Sequence, residues 1–254
     1  MAALGKMPPV VVAQDELRPF GEHWQLKQSL PKKPPYSSMR LGNLFDARVG
    51  AALATMLGNV EIVTPSQFDI RPSADDVVEV GPVRIVGGVR PQNFDVGYRP
   101  DGVRIAFDSK TLNDTKSVGK NYQNMINDLG TEATTVHTRF PYAVVAFMVI
   151  IPEPCLLPTQ RLALTRTLER LTGRIGPIDS AHKAEAISLV LWNPNDGSLD
   201  EAWPAEGSPL RIESFSGQVE RHYVERYKGL PPHDVDEPEI EAEFEADKET
   251  SHEE

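Results

Sequence analysis

Asn93 to Thr111 reads N-F-D-V-G-Y-R-P-D-G-V-R-I-A-F-D-S-K-T, and this stretch predicts a β-hairpin with a charged polar face. Phe94, Val96 and Tyr98 alternate with Asp95 and Gly97, the period of a half-buried strand. Arg99-Pro100-Asp101-Gly102 is a turn signal, because proline fixes φ and glycine accepts a positive one. Val103, Ile105 and Phe107 then alternate with Arg104, Ala106, Asp108 and Lys110. If Tyr98 pairs with Val103, Asp95 lies opposite Ala106 and diagonal to Asp108; a tighter turn at Asp101-Gly102 sets Asp95 directly opposite Asp108. Either register puts both carboxylates on one face, roughly 5–8 Å apart at Cβ. Lys110 shares that face. Like charges this close need a cation between them, and a hard divalent ion with oxygen ligands suits the position.

The elements around the hairpin predict an α/β domain. Asn43 to Leu57 has a helical apolar stripe, with Asn43 as cap and Gly58 as stop. Short strands follow at Val60–Val63 and within Val77–Val89. After the hairpin, Val118, Tyr122, Met125, Ile126, Leu129, Ala133 and Val136 recur at helical spacing and predict an inward face ending near His137. Tyr142 to Ile151 is a continuous apolar run, a central strand covered on both sides. Thr159–Leu171 reads as a helix with Leu162, Leu164, Leu168 and Leu171 inward, and Ala186–Trp192 as a further strand. Gln218–Tyr227 predicts a short helix exposing Arg221, His222 and Arg226, with Lys228 beside them.

Residues 1–40, rich in proline, read as an arm or irregular cap that Trp24 anchors; residues 41–230 form a single domain. The chain carries a net charge of −11, but Asp234 to Glu254 holds eleven acids against one lysine and so −10 of it. The segment 231–254 therefore reads as an acidic, disordered tail: a solubilising end, or a nucleic-acid mimic that contacts a protein partner. One cysteine, Cys155, excludes an internal disulfide framework and fits a reducing cytoplasm. No apolar run reaches membrane-spanning length and no secretory signal opens the chain. The six histidines lack zinc-site spacing, and neither a nucleophile elbow nor a phosphate-binding P-loop occurs.

Asp95 followed after thirteen positions by Asp108-Ser109-Lys110, within this order of helices and strands, resembles the PD-(D/E)xK nuclease superfamily, to which most type II restriction endonucleases belong. The likeness spans about residues 43–192. It implies a restriction-endonuclease-like core, a mixed central sheet flanked by helices, and a metal-dependent phosphodiesterase acting on DNA. By the resemblance, Asp95, Asp108 and the backbone carbonyl of Ser109 hold Mg²⁺, with Mn²⁺ as a substitute, and Lys110 stabilises charge on the phosphate. Many members add an acid from the helix before the hairpin. Asp46 is the best candidate here and Glu61 a poorer one. Lys120 and Asn121 lie nearest the site on the following helix and are candidate contacts to the DNA backbone. Two-fold symmetry suits cutting both strands, so a homodimer is expected. No proline adjoins Asp95, and the triplet opens with Asp in place of the commoner Glu. Read without the family, the trio also fits a surface salt bridge, which would leave a non-enzymatic binding or assembly module. A repair, recombination or phage-defence nuclease is the third reading.

Overall fold

The computed structural model describes residues 3–29, 38–66, 68–113, 115 and 118–233, without the side chains of 38–40, 119 and 120. The acidic stretch 234–254 and the side chain of Lys120 lie outside the described residues.

Helices α1 (Gln14–Ser29) and α2 (Ser38–Met56) precede strands β1 (Glu61–Val63), β2 (Val77–Val86), β3 (Pro91–Tyr98) and β4 (Ile105–Thr111). Helix α3 (Val118–His137), strand β5 (Val144–Pro152), helix α4 (Pro158–Leu171), strand β6 (Ala186–Trp192) and helix α5 (Ile212–Tyr227) follow. The six strands form one sheet in sequence order. β2, β3 and β4 pair antiparallel, whereas β1 joins β2 and β4, β5 and β6 join one another in parallel. This is an α/β fold with a mixed sheet between helices, consistent with a restriction-endonuclease-like core.

Each face of the sheet has its own apolar layer. Leu41, Phe45, Val49 and Leu53 of α2 and Phe215, Val219 and Tyr223 of α5 pack on Val96, Tyr98, Ile105, Phe107, Met148 and Trp192. Met125, Leu129, Ala133 and Val136 of α3 and Leu164 and Leu168 of α4 cover Ala106, Val145, Phe147, Val149, Ile187 and Leu189. Every residue of β5 and β6 is buried, as parallel strands between two helical layers require.

Several expectations are corrected. The start of the chain is not an irregular arm: Met7, Val10 and Val12 enter the core, and α1 forms despite Pro19, with Leu17 wholly buried. Trp24 does anchor it, donating from Nε1 to the carbonyl of Asn113 at 3.0 Å. Helix α2 starts at Ser38, ahead of Asn43, because Leu41 extends its buried stripe by one turn. Leu162 of α4 faces solvent. On α5, His222 is buried and Arg226 turns inward to Glu185 at 2.9 Å. Local sequence carries no signal of that remote acid.

Two departures from regular pairing position the site. A bulge in β2 between Val80 and Val83 faces β3 at Val96 and Phe94, so the alternation of β3 breaks at Asp95. Phe94 therefore joins the α3 layer while Val96 and Tyr98 join the α2 layer. The β3–β4 ladder holds only Tyr98–Ile105, Gly97–Ala106 and Val96–Phe107. Beyond Phe107 the strands part: β3 continues against β2 alone, and β4 against β5 alone.

Candidate functional site

The acids gather at this fork. The register is the one expected of the tighter turn, although residues 99–104 form the connection, and continued by one step it places Asp95 opposite Asp108. At that step the ladder has ended and the amide of Ser109 has lost a strand partner. The side chain of Asp95 takes its place: Oδ2 accepts from Ser109 N at 2.9 Å and from Ser109 Oγ at 3.1 Å. A half-buried amide at the end of a ladder is satisfied by such a partner, so Asp95 terminates the ladder as well as bringing charge.

Asp46 reaches the same place from α2, bonded to Ser109 and feeling the charge of Asp95. Gly42, one turn earlier, makes the approach possible, since a Cβ there would stand 2.9 Å from Ser109 Oγ. Glu61, the poorer candidate, is exposed on strand β1. Lys110 stays on the face of Asp108, its Nζ 2.6 Å from Asp108 Oδ2 and 2.7 Å from Glu132 Oε1 of α3. Asn121 is exposed on the first turn of α3.

Glu132 was missed in the sequence, although a signal was present. Met125, Leu129, Glu132 and Val136 follow one inward stripe, and an acid on such a stripe needs a cation. Lys110 is that cation.

The result is a chain of four carboxyl groups, Asp46, Asp95, Asp108 and Glu132, beside one ammonium. Burial and then the charge of Asp95 push Asp46 up to about 8, against a weaker pull from Ser109. Burial and the hydrogen bond with Asp95 hold Asp108 well above the usual carboxylate range, outweighing Lys110. Burial raises Glu132 as well. Burial alone would lower Lys110, but Asp108 and Glu132 overcome it and keep the ammonium charged. Carboxyl groups outnumber ammonium groups here, the raised acids retaining protons in place of a cation, and Asp46 Oδ1 and Glu132 Oε2 are buried without a hydrogen-bond partner. An all-oxygen set with surplus carboxyl groups and unsatisfied acceptors fits a hard divalent cation. Among the described residues, no three acidic, histidine or cysteine side chains are already grouped around one metal position.

A second ionic cluster lies apart from these acids. Glu185 bonds Arg174 at 2.9 Å, Arg226 at 2.9 Å, His137 Nε2 at 3.1 Å and the amide of Val145 at 2.8 Å. Burial works against its charge, but these partners hold its carboxyl down at about 2. Each side chain there is paired through Glu185, with Arg174 Nε buried without a hydrogen-bond partner, and we assign the cluster to the fold. Cys155 is buried in the α3–α4 layer and belongs to no disulfide. Among the described residues, no helix is long and apolar enough to cross a membrane.

Comparison with known proteins finds no matching family model, no matching curated relative and no matching solved structure. The functional reading therefore rests on the residues themselves.

Proposed function

We propose that the chain is a Mg²⁺-dependent DNA endonuclease of the restriction type, acting as a homodimer. The observation that carries this reading is the excess of buried carboxyl groups at the fork, with the Lys110 ammonium held between two of them. Asp95, Asp108 and the carbonyl of Ser109 would hold the ion, with Asp46 as a further ligand. When bound, Mg²⁺ (or Mn²⁺) polarises a phosphoryl oxygen and lowers the pKa of a coordinated water. Lys110, kept protonated by its two acids, donates to the phosphate and stabilises its developing charge. Glu132 fixes the lysine from α3, so the ammonium is aimed before substrate arrives. Lys120 and Asn121 supply candidate contacts to the DNA backbone.

The test is incubation of supercoiled plasmid with protein and Mg²⁺, beside EDTA and Asp108→Ala controls. Discrete fragments lost in both controls are expected. A smear, or junction-specific products, would move the reading to repair, recombination or phage defence. One observation favours a second reading: Lys110 already neutralises Asp108 and Glu132 at hydrogen-bond distance. The alternative is a binding or assembly module that keeps these pairs for the fold alone. Absence of cleavage together with absence of Mg²⁺ binding by calorimetry selects it.

A further inference from the structure

Apart from the acids, where the hairpin turn meets the loop before β2 and the end of α3, lies a cavity of about 650 Å³. Its volume is in the range of small-molecule sites. Arg71, Arg84 and Arg139 line it, with Ile85, Val103 and Phe140 among its apolar walls.

The charge inside is positive once internal pairs are removed. Arg99 also lines the cavity, but its guanidinium is held by both oxygens of Glu79 at 2.6 and 2.7 Å. Asp101 is likewise held by Arg104 at 2.8 and 2.6 Å. Asp75 is then the one acid left against three arginines, none of which has a carboxylate partner among the described residues. Arg84 donates to Asn93 Oδ1 at 3.3 Å and Arg139 to the Val86 carbonyl at 2.8 Å. A guanidinium has five N–H groups, so most of these donors are uncommitted to the bonds just named. These arginines make the cavity cationic although the chain outside its acidic stretch 234–254 carries a net charge of only about −1. Arg139 also lies over the Phe140 ring, 5.4 Å from its centroid, a cation–π contact at the wall.

We propose that this cavity binds a nucleotide, either free or as part of a nucleic-acid strand. Guanidinium groups match phosphate oxygens in planar, bidentate geometry and stack on bases, and the apolar walls accept the base itself. The proposal is independent of the acids at the fork and holds whether or not they cut DNA.

The experiment uses the full chain in EDTA, so that metal-dependent binding is removed. Inorganic phosphate and adenosine 5′-monophosphate are titrated by calorimetry, and a fluorescein-labelled single strand by anisotropy. The variants are R71Q/R139Q, both exposed positions, and D108N as a control at the fork; melting curves confirm that each is folded. Nucleotide binding is expected to exceed phosphate binding, to fall about tenfold or more per arginine removed, and to be unchanged in D108N. Tighter binding of the strand than of the nucleotide assigns the site to nucleic acid, and the reverse to a free nucleotide. Failure of both to bind overturns the proposal, as does binding undiminished in R71Q/R139Q. Phosphate bound as tightly as the nucleotide removes the base from the argument and overturns the ligand class.

Discussion

Lys110 of β4 and Glu132 of α3 meet at 2.7 Å, although twenty-two residues separate them in the chain. The contact joins the sheet to the helix layer at the position where the acids converge. If its role is to aim the ammonium, Glu132→Gln should lower Mg²⁺-dependent cleavage about 10–100-fold with little change in DNA affinity. In a Lys110→Ala background the same substitution should cost nothing more, because the group it positions is gone. Single-turnover rates on a plasmid substrate, for both singles and the double, check this. Additive losses would place Glu132 in a separate role.

The raised acids make stability fall as pH rises. Asp46, Asp108 and Glu132 hold protons more firmly folded than unfolded, so the native state binds more protons between their ordinary range and their folded values. Their contribution is complete in mild acid and is lost as pH climbs toward about 8, the folded value of Asp46. Glu185, held at about 2, acts in the opposite sense, but only below its ordinary value of 4.5. The interval from pH 5 to 8 sets the fork's three raised acids against an opposing group, the buried His222, which holds its proton less firmly folded than unfolded. Melting temperature should decline across it, and Asp46→Asn should flatten the decline. A flat wild-type profile would show that the acids are already compensated.

A divalent cation should reverse that loss. An ion that binds the folded state alone adds about 2.7 kcal/mol at a concentration one hundred times its dissociation constant. Mg²⁺ should thus raise the melting temperature more at pH 8 than at pH 5, and should do so little in Asp108→Asn. Differential scanning fluorimetry with a magnesium series reads this without any nucleic acid present. Equal shifts in wild type and variant would assign the effect to other sites.

The cluster around Glu185 should behave as structure alone. Glu185→Gln leaves Arg174, Arg226 and His137 buried with no carboxylate between them. Removing one partner of such a network costs about 3–5 kcal/mol. Urea unfolding should show that loss, while cleavage per folded molecule stays at the wild-type level.

What the sequence revealed was whatever has a short period. The hairpin, the all-buried β5, the strand β6 and the apolar stripes of α2 and α3 follow from alternation, continuous apolar runs, helical spacing and turn residues within a few positions. Asp46 was also within reach, as an acid on the helix before the hairpin. Proline content concealed α1, although Asp15 and Glu16 at its first turn favour a helix start. Arg226 was misplaced because its inward position depends on Glu185, forty-one residues earlier. The break in β3 at Asp95 was invisible for a related reason: it arises from an extra residue in β2, a different strand.

The early end of the β3–β4 ladder has one more consequence. Three residue pairs join β1–β3 to β4–β6, whereas each half continues its own pairing well beyond them. The sheet is less a single plate than two panels sharing a short hinge, and the carboxylate of Asp95 on the Ser109 amide is the latch between them. An ion drawing on that carboxylate would compete with the latch for it. The Ser109 amide, slow to exchange its hydrogen while latched, would then register the arrival of the ion before any bond in a substrate is broken.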